Sequence, residues 1–276
     1  MNVAENFSGE HKTKLDYLCI AVGQACNLKC RDCGNFAPFA PKDMLRYDVE
    51  KIINDLKTVT KYADIRMLQI QGGEPFLYPQ LETLLDFVRN CREIEMCLIA
   101  TNGTVMPKVK PESLQGEKFL VRISHYPVAS DISSEVQEWL ESNSVRYKIY
   151  RFVSAEDKWF DLGKQCNPKE DIQTRFEKCL FKNCFTLENG MIERCARALV
   201  AQRLQGFTAK KSGGGHNGDG DYLPVYDSED FKEALEKYIS VPRAMEACRY
   251  CNGTDGTVQV EPAVQLKENE RWEDVQ

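Results

Sequence analysis

Three cysteines lie close together near the start of the chain, in the run Cys26-Asn-Leu-Lys-Cys30-Arg-Asp-Cys33. This C-x3-C-x2-C loop directly follows an apolar segment, residues 15–22, which predicts a buried strand. Cysteine thiolates hold iron–sulfur clusters, and three on one short loop can occupy three corners of a four-iron cube. The fourth iron would then have no protein ligand, so that a substrate or cofactor could bind to it.

A second group of cysteines lies in the last third of the chain. Cys179, Cys195, Cys248 and Cys251 give the order C-x15-C-x52-C-x2-C, and Cys184 could replace Cys179 as a member. Four cysteines can hold either a closed iron–sulfur cluster or a structural zinc ion, and the residue types leave both possibilities open. Clustered cysteines in a chain without a signal-peptide pattern favour metal binding in a reducing cytoplasm over disulfide bonding.

Composition and charge narrow the class of protein. The 276 residues are 42% hydrophobic and 28% charged, which is typical of a globular protein. The formal charge of −6 and the lack of a long basic tract disfavour nucleic acid as a partner. No apolar run approaches the ~20 residues of a membrane helix, so that we expect no membrane partner and a cytoplasmic location.

Strand and helix patterns alternate over the first half of the chain. The alternation predicts parallel βα units, and the pattern fades after about residue 155, too early for a closed eight-unit barrel. We therefore expect an α/β fold with a partial barrel. The predicted strands are 15–22, 65–71, 94–100, 119–124 and 145–152, and the predicted helices are 47–62, 81–88 and 133–143.

The C-terminal part has a different pattern. Residues 185–188 and 191–195 flank Asn189-Gly190, a pair that favours a type I′ hairpin turn. A helix from Ser228 to Ile239 precedes the last two cysteines. We expect four regions, namely a disordered segment 1–14, the partial barrel 15–160, a small hairpin-plus-helix cluster-binding module 161–260, and a charged tail 261–276 that frays.

Polar motifs follow the predicted strands of the barrel. Gly72-Gly73-Glu74-Pro75 ends the second strand, Thr101 and Asn102 end the third, and Ser124 ends the fourth. Barrel-type α/β folds place their chemistry at the carboxyl ends of the strands. These residues are therefore expected to lie near the cysteine loop.

With both motifs in this order, the chain resembles the radical S-adenosylmethionine (SAM) enzymes over residues 15–155. The resemblance implies a partial (β/α)6 barrel and a [4Fe–4S] cluster on Cys26, Cys30 and Cys33. It further implies a flavodoxin or ferredoxin as electron donor. SAM would bind the open iron, with its amino group on Gly72-Gly73-Glu74-Pro75 and its ribose or carboxylate on Thr101, Asn102 and Ser124. Asp32 departs from the family, which usually has an aromatic residue before the third cysteine.

The second cysteine group resembles the shortened SPASM module, or twitch domain, of 2-deoxy-scyllo-inosamine dehydrogenase-type enzymes. The resemblance implies one auxiliary [4Fe–4S] cluster on Cys179, Cys195, Cys248 and Cys251. It implies an oxidoreductase in which a 5′-deoxyadenosyl radical abstracts hydrogen from a small sugar, cyclitol or similar alcohol. The auxiliary cluster would accept the second electron.

Three alternatives stay open at the level of the sequence. An epimerase would need a thiol to return a hydrogen atom, for which Cys184, Cys166 and Cys97 are the candidates in that order. A maturase of a ribosomally made peptide would need a peptide-recognition partner. A non-catalytic scaffold would hold zinc on the same cysteines.

Overall fold

The computed structural model describes residues 12–166, 171–212 and 220–275. Its helices are α1 (Val49–Tyr62), α2 (Leu81–Asn90), α3 (Ser133–Ser142), α4 (Ile172–Glu177), α5 (Ala198–Gln205) and α6 (Glu229–Ser240). Its strands are β1 (Thr13–Leu15), β2 (Leu18–Ala21), β3 (Ala63–Gln71), β4 (Ile94–Thr101), β5 (Phe119–His125), β6 (Tyr147–Arg151), β7 (Trp159–Phe160), β8 (Phe185–Glu188), β9 (Met191–Glu193), β10 (Tyr222–Pro224) and β11 (Gln259–Val260).

One large sheet organises the molecule. Its strand order is β10-β9-β8-β2-β3-β4-β5-β6, with β1 also pairing with β3. Strands β2 to β6 are mutually parallel, and α1, α2 and α3 connect successive strands of this set. The predicted mixed α/β fold with a mainly parallel sheet is therefore confirmed.

The expected count of six βα units is not confirmed. Between β4 and β5 the described chain has a 3-10 turn, Pro111–Ser113, in place of a helix. A further parallel strand comes from the C-terminal hairpin, because β8 pairs in parallel with β2. All four residues of β8 are buried, which explains why this strand extends the barrel sheet rather than forming a separate module.

The N-terminal boundary also differs. The segment predicted as one strand, 15–22, is divided into β1 and β2, and β1 already begins at Thr13. Thr13 and Lys14 fall within the segment that we expected to be disordered, yet they pair with Ala63 and Asp64 of β3. Residues 1–11 lie outside the described part of the chain.

The side chains of β5 alternate between the apolar core and the barrel interior. Phe119, Val121 and Ile123 are completely buried in the main apolar core. Because successive side chains of a strand point to opposite faces, Arg122 and Ser124 face the other side, where they line a cavity. Helix α1 covers the core side, with Asp48 capping its N-terminus by accepting a hydrogen bond from the Glu50 amide.

The hairpin prediction is confirmed. Asn189 and Gly190 have φ of 52° and 81°, both in the left-handed region that a type I′ turn requires. Strands β8 and β9 flank this turn as an antiparallel pair.

The tail is not frayed where we expected fraying. The Arg31 amide donates to the Val264 carbonyl over 2.7 Å, and the Leu266 amide donates to the Lys29 carbonyl over 2.8 Å. Residues 263–266 are thus hydrogen-bonded to the cysteine loop, because backbone pairing satisfies polar groups on both segments. No helix within the described ranges is long and apolar enough to cross a membrane.

Candidate active site

A cavity of about 440 Å³ opens at the carboxyl ends of the barrel strands. We call it the outer cavity. The structure brings together on its wall eight residues that the sequence singled out, namely Cys26, Cys30, Cys33, Gly72, Gly73, Thr101, Asn102 and Ser124. Parallel strands ending at one edge of a sheet produce this convergence.

Each thiol of the loop receives N–H donors. The amides of residues 35, 36 and 37 point at Cys33, and the amide of Leu28 points at Cys26. Side-chain amides add two more contacts, Asn102 Nδ2 to Cys26 Sγ at 3.6 Å and Gln265 Nε2 to Cys30 Sγ at 3.4 Å. Burial raises the pKa of Cys26 to about 12 and that of Cys30 to about 11, whereas the N–H donors lower both pKa values.

These donors fit thiolates bound to iron. A metal-bound thiolate carries charge that N–H groups stabilise, and outer partners of this kind orient the ligands of a metal site. Among the described residues, no group of three or more His, Cys, Asp and Glu side chains is arranged around one ion position. The three thiols instead face a shared cavity, and a four-iron cube takes its cysteines at separate corners.

Gly73 and Glu74 hold the backbone ahead of Cys26 against the turn that follows β3. The Gly73 amide donates to the Gly23 carbonyl over 2.9 Å, and the Glu74 amide donates to the Ala25 carbonyl over 2.8 Å. A Cβ atom on Gly73 would lie 2.2 Å from the Ala25 carbonyl oxygen, inside the range where atoms clash. The backbone leading into Cys26 therefore approaches this turn too closely for a side chain.

Glu74 has a different place from the one implied by the resemblance. Its side chain is 2% exposed and does not line the outer cavity. One carboxylate oxygen accepts from Thr101 Oγ1 at 2.9 Å and from the Phe76 amide at 3.0 Å, and the other accepts from the Asn102 amide at 2.8 Å. Burial raises the pKa of Glu74 to about 7, although these hydrogen bonds lower it.

The carboxylate of Glu74 thus joins the ends of β3 and β4. Pro75 is buried in the short 3-10 turn that follows and does not line the outer cavity. Gly72 and Gly73 are the members of this motif that face the cavity.

Asp32, which departs from the family pattern, has a partner that the sequence did not indicate. Lys164 Nζ lies 2.6 Å from Asp32 Oδ1, and the two side chains are only 12% and 17% exposed. The residues are 132 positions apart, and neither shows a sequence pattern linking it to the other. Their ion pair fastens the cysteine loop to the segment that follows β7.

We predict that Lys164→Met lowers the free energy of unfolding by about 3 kcal/mol, because it leaves a nearly buried carboxylate without its counter-charge. The double variant Asp32→Leu/Lys164→Met should recover most of the loss. Anaerobic denaturation in guanidinium chloride measures both. Arg66→Met is the control, since Arg66 pairs with Asp16 on the surface and should change stability by less than about 1 kcal/mol. Equal decreases in the free energy of unfolding for Lys164→Met and Arg66→Met would contradict the prediction.

Gln265 is a further residue that the sequence analysis missed. Its Oε1 accepts from the Lys29 amide at 2.8 Å, while its Nε2 reaches Cys30. The charged composition of this segment predicted only a frayed tail. It did not indicate that Gln265 contacts both the backbone of the cysteine loop and the Cys30 thiol.

The charges of several thiols of the second cysteine group act on one another. Burial is the main cause of the raised pKa of Cys195, and the charges of Cys251 and Cys248 raise it further. Burial raises the pKa of Cys248 to about 12, with further contributions from Cys251 and Cys179. Cys248 thus lies within electrostatic reach of the other three thiols, although the described residues form no group of three or more His, Cys, Asp and Glu side chains around one ion position. Arg175 Nη1 donates to the Cys248 carbonyl over 3.1 Å. The ligand assignment itself stays a prediction.

A second cavity, of about 270 Å³, lies next to the first. We call it the inner cavity. Cys184 and Cys195 line it, together with Tyr17, Cys19 and Thr186 of the barrel side. The two cavities share six lining residues, namely Gly34, Asn35, Gln71, Arg122, Leu162 and Phe181. The inner cavity therefore lies between the first cysteine loop and the second cysteine group.

The candidate hydrogen-donor thiols are placed differently from one another. Cys184 lines the inner cavity, whereas Cys97 is completely buried in the apolar core and Cys166 is exposed, and neither lines one of these two cavities. Cys19, a buried residue of β2, lines the inner cavity together with Cys184.

Comparison with known proteins gives a match to the radical SAM superfamily over residues 20–131, the part of the chain that forms β2 to β5 and the cysteine loop. Residues 20–131 thus match a radical SAM domain, and relatives that share this part of the chain, such as the GTP 3′,8-cyclases, are enzymes.

Two curated relatives illustrate the range of the domain. The chain is 31% identical over 94 residues to a GTP 3′,8-cyclase of Chlorobaculum tepidum, which is 34% of this chain and 28% of that protein. It is 32% identical over 111 residues to the subtilosin biosynthesis protein AlbA of Bacillus subtilis, 39% of this chain and 23% of that protein. The chain thus spans less than a third of the length of either relative.

A solved structure covers nearly the whole chain. BtrN in complex with AdoMet and 2-DOIA superposes with a TM-score of 0.51 at 14% identity, covering 93% of this chain and 99% of BtrN. This likeness concerns the fold, and it extends beyond the radical SAM domain into the region of the second cysteine group.

Proposed function

We propose that this protein is a radical SAM oxidoreductase that oxidises a small polar molecule such as a sugar, a cyclitol or a related alcohol. One observation carries the proposal. The outer cavity, lined by Cys26, Cys30 and Cys33, shares six lining residues with the inner cavity, whose wall includes Cys195 of the second group. A substrate in the inner cavity would thus lie between two cysteine sites.

Bound on the first loop, a [4Fe–4S] cluster with SAM would supply a 5′-deoxyadenosyl radical that takes a hydrogen atom from a carbon bearing a hydroxyl group. Cys179, Cys195, Cys248 and Cys251 would hold a closed cluster suited to electron transfer. Oxidation to a carbonyl then balances with loss of the hydroxyl proton and transfer of one electron to that second site.

Three residues of the outer cavity would bind SAM, since Gly72 and Gly73 present backbone at its wall and Ser124 adds a hydroxyl group. Aromatic rings cover the same cavity, with Tyr126 stacked on Phe152 at 5.2 Å and edge-on to Trp159 at 5.3 Å. Such a covering excludes water, which protects reactive intermediates from side reactions.

The barrel interior supplies polar groups for a hydroxylated substrate. The Tyr17 hydroxyl donates to Gln69, and the Gln69 amide donates to Gln71, so the three side chains form a connected chain beside the inner cavity. BtrN, which shares the fold, contains AdoMet and 2-DOIA, and this supports a barrel that holds SAM together with a second small molecule.

The test is anaerobic reconstitution of the full chain with iron and sulfide. We expect about eight iron atoms per chain and conversion of SAM to 5′-deoxyadenosine when dithionite is added. Candidate cyclitols and amino sugars, with GTP as a comparison, should then yield a product lighter by two hydrogens. A colourless, zinc-loaded protein that leaves SAM intact would overturn the proposal.

Epimerisation is the second candidate, favoured by the position of Cys184 and Cys19 on the wall of the inner cavity. A thiol there could return a hydrogen atom to a substrate radical. Turnover in heavy water separates the two reactions, because deuterium fixed at carbon indicates an epimerase.

Peptide maturation is the third candidate, since AlbA acts in bacteriocin biosynthesis according to its name. Calorimetric titration with leader peptides tests it. Tight binding of such a peptide would replace the small-molecule proposal.

A further inference from the structure

Arg122 is a cation in the barrel that the proposed function has not used. It lies on β5 between Val121 and Ile123, on the face that also carries Ser124, and it lines both the outer and the inner cavity. Among the described residues, its buried Nε has no hydrogen-bond partner, and no carboxylate forms an ion pair with its guanidinium. A half-buried arginine without a counter-charge is costly unless a ligand supplies one.

The inner cavity has the electrostatic character of an anion site. Its described lining contains two arginines, Arg122 and Arg197, and includes no Asp or Glu. Its remaining polar lining groups are amides, hydroxyls and three thiols, of which Cys195 is the one on which the charge of Arg197 acts. In a cavity with apolar walls, unopposed positive charge attracts anionic ligands.

Arg197 has a separate role on this wall. Its two terminal nitrogens donate to the carbonyls of Leu162 and Gly163, at 2.5 Å and 2.9 Å, and its guanidinium lies 4.6 Å from the Phe36 ring. It is 2% exposed, and its charge acts on the Cys195 thiol. Arg197 is therefore held in place beside the second cysteine group, where it can offset the negative charge of thiolates.

We propose that Arg122 binds an anionic group of the substrate, a carboxylate or a phosphate, within the inner cavity. The inference rests on the proposed function, and it makes the substrate a hydroxylated acid or a phosphorylated polyol. Arginine is suited to both groups, because its planar fork donates two parallel hydrogen bonds. The Gln69–Gln71 pair would then face the hydroxyl groups of the same molecule.

The size of the cavity agrees with a small metabolite. About 270 Å³ lies just below the range of ~300–1,000 Å³ that is typical of small-molecule sites. A charged metabolite with a few hydroxyl groups matches this space better than a folded peptide does.

The experiment compares acidic probes with neutral probes of the same shape. Reconstituted full-length protein with SAM present is titrated by calorimetry with gluconate against sorbitol, and with glucose 6-phosphate against glucose. We expect at least one acidic probe to bind about tenfold or more tightly than its neutral partner, because charge-assisted hydrogen bonds are the stronger kind. A preference for gluconate over sorbitol indicates that the substrate carries a carboxylate. A preference for glucose 6-phosphate over glucose indicates that it carries a phosphate.

Three variants test whether Arg122 causes the preference for acidic probes. Arg122→Met should abolish this preference, and Arg122→Lys should keep part of it. Arg66→Met should leave the preference unchanged, since Arg66 lies on the surface and pairs with Asp16 at 3.1 Å. SAM affinity should stay the same in all three variants.

Four results would overturn the inference. In the wild-type protein they are equal binding of acidic and neutral probes, or no binding of either acidic probe at about 10 mM. In Arg122→Met they are a preference for acidic probes that survives, or weakened binding of SAM. The last result would mean that Arg122 holds the carboxylate of SAM. Reductive cleavage of SAM by the wild-type protein separates the two proposals. If SAM is not cleaved, the proposed function fails. If SAM is cleaved and one of the four results is obtained, this inference alone fails.

Discussion

Replacing Cys33 by serine is expected to remove about half of the iron, from about eight to about four atoms per chain, and all reductive cleavage of SAM. Cys33 is half-buried on the wall of the outer cavity, and three backbone amides point at it, so its sulfur occupies a position built for a thiolate. Serine cannot replace it, because its hydroxyl is a poor ligand for iron. Iron analysis and chromatography of 5′-deoxyadenosine measure the two losses.

Cys91→Ser is the matched control for this prediction. Cys91 is a half-buried thiol that lines neither the outer nor the inner cavity. The Cys91→Ser variant should keep the full iron content and the wild-type rate of SAM cleavage. If Cys33→Ser retained SAM cleavage, the assignment of the first cluster to this loop would be wrong.

Replacing Gly73 by alanine is expected to lower the free energy of unfolding by about 3 kcal/mol or more and to abolish SAM cleavage. The added Cβ would meet the carbonyl oxygens of Ala25 and Gln24 at 2.2 Å and 2.5 Å. Both contacts are to backbone, so the clash can be relieved only by moving the segment that leads into Cys26. Anaerobic unfolding in guanidinium chloride and SAM binding by calorimetry test the two effects.

Gly206→Ala separates this clash from the general cost of losing a glycine. Gly206 ends α5 with φ of 70°, and a Cβ there would meet no atom within 4 Å. Alanine at this position should cost about 1 kcal/mol through backbone strain alone, and should leave SAM cleavage unchanged. If Gly73→Ala lowered the free energy of unfolding by no more than Gly206→Ala does, the turn at Gly73 would be able to move away from the cysteine loop.

Much of the outer cavity could be predicted from the sequence. The cysteine spacing, the two glycines and the polar residues Thr101, Asn102 and Ser124 all stand at strand ends, and parallel strands bring their ends together whatever the details of packing. The role of Glu74 was not predictable in this way. The family resemblance implied contact with SAM, whereas its burial beneath Thr101 and Asn102 makes it a link between two strands.

Contacts between distant segments could not be predicted. Asp32 meets Lys164, and Cys30 meets Gln265, over separations of 132 and 235 residues. Neither pair leaves a periodic or spacing signal, because a single long-range contact depends on how whole elements dock.

The sequence by itself determined the spacing of the two cysteine groups, the alternation of strands and helices over the first half of the chain and the hairpin at Asn189-Gly190, since these depend on residue type and short-range periodicity. The tertiary structure alone decided that β8 joins the sheet beside β2, and that the tail pairs with the cysteine loop. It also decided that Arg122 faces the inner cavity, whose described lining includes no Asp or Glu. The physical reason is that burial and charge balance depend on neighbours in space, and those neighbours come from parts of the chain that no local pattern connects.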